Sequence, residues 1–140
     1  MHMPAPRWFS PRLLAPAHQA VLVGNAFPVF DWKVRGSQCV LQGDLQPSDS
    51  SDTYRVSIQY RPDGTPFVFV SGLETAEQPP HTYSNTALCL YHPGIFDWHG
   101  RRTLMNYIVP WTASWLFFYE KWKELGVWLG PTVPHSPPSS

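Results

Sequence analysis

Apolar and polar residues alternate most cleanly over "TYRVSIQY", where Tyr54, Val56, Ile58 and Tyr60 share one face. A period of two marks a half-buried strand. "SQCVLQGDLQP" carries Cys39, Leu41 and Leu45 in the same phase and predicts a strand ending at Pro47. "PFVFVSG" reads as a third strand, dense enough in apolar residues to be buried on both faces. The intervening "SDSSD" and "RPDG" are turn sequences, with Pro, Asp and Gly where turns favour them. Strands joined by short turns pair most economically as an antiparallel meander.

The ends of the chain follow a helical pattern. Pro16 suits a first turn and Gly24 a stop, predicting a short helix over 16–23. "NAFPVFDW" then leads out of it. Towards the C-terminus, Pro110 opens a helix in which Trp111, Trp115, Phe118, Trp122 and Leu125 recur at spacings of 4, 3, 4 and 3. That is one apolar stripe, expected to pack on the sheet. Gly126 ends it, with Lys121 and Lys123 near its C-terminus. Between the sheet and this helix lies a long irregular stretch from Leu73 to Pro93, of a length that compact domains usually reserve for function. Segregated strands and helices make the class α+β. One domain is expected over residues 1–130, with 1–12 a loose arm and 131–140 a disordered tail. There are no internal repeats.

Charge narrows the function classes. Ten basic residues balance ten acidic ones, so nothing in the chain's net charge argues for nucleic acid or an anionic membrane. The uncharged run "TLMNYIVPWTASWLFFY" is interrupted by Asn106, Pro110, Thr112 and Ser114 and reads as a buried helix rather than a membrane span. Two cysteines, Cys39 and Cys89, make no disulfide framework, and "MHMPAPRWFSPR" lacks the apolar core of a secretory signal. A cytoplasmic protein with free thiols is expected.

The chemistry concentrates in "HTYSNTALCLYHPG", where Cys89 stands between two leucines and His81, His92 and His99 bracket it. Three readings compete. Cys89 is a small core residue, as free cysteines often are. Or "CLYH" is half of a zinc site completed by His81 or His99, although the only other cysteine lies fifty residues upstream. Or Cys89 is a nucleophile whose thiol is activated by His81 or His92 folded over the sulfur, with Asn85 or Asp97 as orienting groups. Spacing alone does not rank them. Cys39, in phase with Leu41, reads as core.

The order helix, meander, cysteine loop, helix resembles the ubiquitin-conjugating enzymes, whose cysteine lies in such a loop in an "xCL" context. Their His-Pro-Asn motif places its Asn eight residues before the cysteine; here "LCL" holds Cys89 and "PPH" puts His81 at that position. The chain more closely resembles the ubiquitin-conjugating-like proteins of bacterial cyclic-oligonucleotide anti-phage signalling (CBASS) operons. The shared stretches are "GDLQPS", "YRVSIQY", "PPHTY", "LCLYHP", "DW" and "PWTASWLFFYEKW" followed by "GVWLG". The resemblance covers residues 13–130 and implies a ubiquitin-conjugating fold with a four-stranded antiparallel meander, a short N-terminal helix and C-terminal helices.

It also implies a function: Cys89 forms a thioester with the C-terminal glycine of a cGAS-like nucleotidyltransferase and so regulates second-messenger synthesis. A thioester is already activated, so positioning and oxyanion stabilisation carry such chemistry with little need for a base. His81 is the expected oxyanion donor, with Tyr83, Asn85 and His92 as further helpers. No cofactor and no metal are expected. The chain is read as the stand-alone form, with activation supplied by a separate enzyme. Its "SPPSS" ending, in place of Gly-Gly, argues against its being a modifier itself. The alternative is a non-catalytic module of the same fold that scaffolds the nucleotidyltransferase.

Overall fold

The alternating faces read from the sequence meet in one sheet. The structure, a computed structural model, describes residues 13–73, 79–83, 85–92 and 94–131. The loose arm and the tail expected beyond Pro131 fall outside these residues. Helix α1 (Pro16–Ala26) leads into strands β1 (Asp31–Arg35), β2 (Gln38–Leu45), β3 (Tyr54–Tyr60) and β4 (Phe67–Val70). The four pair antiparallel in sequence order, the expected meander. Cys39, Leu41, Val56, Ile58, Tyr60 and Val68 all point inward and are buried. The chain then runs through the cysteine loop into a π-helical turn (Leu104–Ile108) and helix α2 (Val109–Leu125). Leu104, Ile108, Val109, Trp115, Leu116 and Tyr119 close the core over the sheet, and Ala20 and Val23 of α1 join it.

The structure departs from the expected pattern in four places. Helix α1 continues through Gly24 to Ala26, where the Phe27 N–H still bonds to the Val23 carbonyl at 2.7 Å. A glycine weakens a helix without ending it when the chain beyond is held. The segment after "NAFPVF" is a strand, β1, whose five residues are all exposed. Its partner β2 is reached by a two-residue hairpin in which Gly36 adopts a φ of 59°, a conformation that favours glycine. Strand β4 is a sheet edge: Val68 is buried but Phe67 is exposed, so it is not covered on both faces.

The fourth departure is the phase of α2. Its buried residues are Val109, Thr112, Trp115, Leu116 and Tyr119, whereas Leu125 is exposed and Trp111, Phe118 and Trp122 are half-buried. The helix also starts earlier than Pro110. Proline has no N–H to give the carbonyl four residues back, and its ring collides with that carbonyl in a regular α-helix. The turn widens instead, the Val109 N–H reaching the Leu104 carbonyl, and Thr103 caps it by accepting from the Asn106 N–H at 3.2 Å. The far end behaves as expected, Gly126 adopting a φ of 78° with its N–H on the Trp122 carbonyl at 2.8 Å. Such a left-handed glycine terminates helices by satisfying late carbonyls.

Buried polar groups tie the elements together. Gln19 is fully buried; its Nε2 donates to the Arg102 carbonyl at 2.7 Å and its Oε1 accepts from the Leu104 N–H at 2.9 Å. Glu120 accepts from Ser51 at 2.6 Å and from the Tyr54 hydroxyl at 2.8 Å, pinning α2 to the start of β3. Among the described residues no helix is long and apolar enough to cross a membrane.

Candidate functional site

The cysteine loop is built against β4 and α2. The Leu88 N–H bonds to the Val68 carbonyl at 2.8 Å, extending the sheet edge by one link. Thr82 and Leu88 form an isolated bridge, and the Tyr83 N–H reaches the Ala87 carbonyl at 2.9 Å. The loop thus doubles back on itself just before Cys89. Asn85 makes its turn: Oδ1 accepts from the Ala87 N–H at 3.0 Å, as Asn side chains do in tight turns. Leu88 packs in the core, while Cys89 lies at its margin, 7 % exposed.

His81 serves the loop through its backbone. Its carbonyl accepts from the Cys89 N–H at 2.8 Å and from the Trp115 indole N–H at 3.1 Å. One oxygen therefore fixes the cysteine backbone to α2. The residue holds this position with a φ of 59°, a conformation uncommon outside glycine. The imidazole lies beside the Trp128 ring, centroids 5.0 Å apart, and lines the same groove as Cys89.

The Tyr83 side chain hydrogen-bonds with the Cys89 thiol. Burial pushes the Cys89 thiol above its ordinary pKa, and the Tyr83 hydroxyl draws it part of the way back. The tyrosine is held protonated in turn, its pKa raised by burial and by the sulfur beside it. In these surroundings burial is the larger influence, because taking a thiolate out of water disfavours the charged form. The S–H also points to the Tyr91 carbonyl, 3.9 Å away.

Beyond the sulfur the chain is fixed by aromatic packing. Tyr91, Phe96, Tyr107 and Trp111 form a continuous cluster with centroid separations of 4.8–5.8 Å. The Arg102 guanidinium lies 4.5 Å from the Phe96 centroid. His92 makes a turn here, its Nδ1 accepting from the Gly94 N–H at 2.9 Å. Trp98 rests edge-on against Tyr60 at 6.5 Å, and the Arg102 Nε–H donates to the Asp97 carbonyl at 2.7 Å. The Asp97-Trp98 pair thus anchors the loop after the cysteine.

Two grooves flank the loop. One, of about 360 Å³, is lined by Cys89, His81 and His92 together with Trp111, Trp115, Phe118 and Trp128. The other, about 480 Å³, holds Tyr83, Asn85 and Asp97 but not Cys89. The structure therefore brings Cys89, His81 and His92 to one groove, sets Tyr83 in the wall of the other, and gives Asn85 to a turn. His99 lines neither groove. Among the described residues no group of three or more His, Cys, Asp or Glu is placed to hold a metal ion. Cys39 is fully buried on β2, and burial pushes its thiol up to about 11. The role of Trp128 was not anticipated from the sequence; the only available signal was its place in the "GVWLG" block after Gly126.

The family described as E2-CBASS, type II CBASS E2 protein, matches the chain over residues 19–136. No curated protein matches it.

Proposed function

The chain belongs to the type II CBASS E2 family, and on that premise we propose that Cys89 carries an acyl group as a thioester. The acyl group is the C-terminal glycine of a cGAS-like nucleotidyltransferase, and its transfer tunes second-messenger synthesis during antiviral defence. The observation that carries this reading is the position of Cys89. The residue lines a largely aromatic groove on a loop held by the doubly bonded His81 carbonyl.

The chemistry needs little from the protein's bases. When Cys89 attacks an existing thioester, the new C–S bond forms as the old one breaks. The proton leaving Cys89 is balanced by the one taken up by the departing thiolate. When it attacks an acyl adenylate made by a separate activating enzyme, the nucleotide phosphate leaves and the proton passes to solvent. A thiol held neutral by burial is compatible with both, because the carbonyl is activated beforehand. The oxyanion that develops requires a donor. The Cys89 N–H is already committed to His81. Tyr83, kept protonated next to the sulfur, is the donor best supported, and His81 from the groove side is the second.

The reading is tested by co-expressing the protein with the nucleotidyltransferase and measuring intact mass. The expected adduct is cleaved by hydroxylamine or excess thiol, survives Cys39→Ala, and becomes a thiol-resistant oxyester in Cys89→Ser. Persistence of the adduct in Cys89→Ala would falsify the assignment. A complex that forms without any adduct, and is unaffected by Cys89→Ala, would instead favour a non-catalytic scaffold. Burial of the thiol with a raised pKa is the observation on that side.

A further inference from the structure

We propose that strand β1 is an interface between two copies of this chain. Its open edge pairs antiparallel with the same edge of a second copy, about a two-fold axis at Lys33.

The chain treats the two edges of its sheet differently. The β4 edge is taken up by the cysteine loop, whose Leu88 N–H bonds to the Val68 carbonyl. The β1 edge pairs only with β2, and all five residues of the strand are exposed. The two-residue hairpin at Gly36-Ser37 sets Arg35 opposite Gln38. Such a hairpin closes on a doubly bonded pair, and doubly bonded and unbonded pairs alternate from there. The peptide groups of Asp31, Lys33 and Arg35 are therefore spent on β2. Those of Trp32 and Val34 face outward and give the edge two donors and two acceptors.

That edge is complementary to itself. In the register centred on Lys33, Trp32 stands opposite Val34 of the second copy, and Val34 opposite its Trp32. The outward peptide groups then meet as doubly bonded pairs. Trp32 is 42 % and Val34 39 % exposed, on the face shared with Leu41 and Cys39, so α1 leaves both within reach. An aromatic ring against a β-branched side chain is a favourable cross-strand pair. On the other face Asp31 stands opposite Arg35 of the second copy, at both ends of the interface. Among the described residues neither of them, nor Lys33, forms an ion pair. Charges on an edge strand usually guard against strand addition; here a second copy brings the complement of each end. The one like-charged contact is Lys33 against itself on the axis. Sliding the pair towards the hairpin would set Lys33 against Arg35 twice. Sliding it the other way would draw the buried Phe30 into the ladder and set Arg35 against Val29.

A single short strand makes a small interface, so the dimer is reversible and depends on concentration. The cysteine loop lies at the opposite edge, and pairing through β1 leaves both copies of Cys89 open.

Sedimentation equilibrium of the full chain, from micromolar to millimolar, tests this. The parent should show a monomer–dimer equilibrium. Asp31→Arg sets arginine against arginine at both ends and Arg35→Asp sets aspartate against aspartate; each should weaken the dimer by roughly tenfold or more. Mixed in equal amounts, the two variants should associate with each other, because each supplies the charges that the other lacks. That recovery also shows that both are folded. Lys33→Gln, which removes the repulsion on the axis, should tighten the dimer by about threefold. A parent that stays monomeric throughout overturns the proposal. So does a dimer indifferent to both reversals, or a pair of reversal variants that fails to associate on mixing.

Discussion

Trp115→Ala tests the join between core and site. Trp115 is 4 % exposed, stacks on Tyr119 at 5.5 Å with planes 10° apart, and donates its indole N–H to His81. A buried tryptophan withholds roughly 150–250 Å² from water. At about 25 cal/mol per Å² this is roughly 4–6 kcal/mol, of which alanine retains a part. The lost hydrogen bond adds about 1 kcal/mol, and partial collapse of the cavity offsets some of the total. A destabilisation of roughly 3–5 kcal/mol is expected. At about 2–4 °C per kcal/mol, the melting temperature should fall by roughly 6–20 °C. Trp115→Phe separates the two contributions: it keeps most of the ring area and removes the donor, while His81 still accepts from Cys89. Its cost should be about 1–2 kcal/mol. Urea and thermal melts of both variants supply the numbers. A Trp115→Ala protein melting within about 2 °C of the parent would mean that the ring is not core. Equal costs for the two variants would mean that the hydrogen bond, and not packing, dominates.

Three further outcomes are expected. The two thiols should differ in alkylation by access: Cys89 should label in the folded protein at a rate that climbs as pH rises above neutrality, while Cys39 stays inert until unfolding; equal rates would refute this. Tyr83→Phe should slow acylation of Cys89 by roughly 10²–10³ if its hydroxyl serves the oxyanion, with His81→Ala well below that; the reverse order of effects in single-turnover assays assigns the donor to His81. On the alkaline side, the folded Cys39 thiol at about 11 against an ordinary 9.0 keeps its proton where the unfolded one loses it. Its contribution is whole below about pH 9 and is lost by about pH 11, on the order of 2–3 kcal/mol. Denaturant melts of Cys39→Ala should show a shallower decline across that window than the parent.

The strands that one face buries could be read from the chain, and the strand that buries neither face could not. Tyr54, Val56, Ile58 and Tyr60 alternate because the core takes every second side chain. Asp31–Arg35 is exposed throughout, so no alternation is enforced, and only the Gly36-Ser37 hairpin marks it. The α2 stripe was legible as a period but not as an angle. Tryptophans serve a groove wall as readily as a core, so Trp111 and Phe118 drew the expected axis away from Thr112, Leu116 and Tyr119. At the site, Cys89 stood out by its context and Cys39 by its phase, and both are where the pattern put them. The shared use of the His81 carbonyl was hidden, because a backbone acceptor has no signature in side-chain identity.

The wide turn ahead of Pro110 has a consequence for how this chain tolerates insertion and deletion. A π-helical turn spans one residue more than the α-helical turn it replaces. Closing it would rotate everything on one side by about 100° relative to the other. Loss of a single residue between Leu104 and Ile108 would therefore act as a change of gear more than as a shortening. Leu104 and Gln19 on one side, and Trp115 and His81 on the other, would no longer engage together. Length changes should be confined to the hairpins and loops, and the spacing from Thr103 to Trp115 should be the least negotiable distance in the chain.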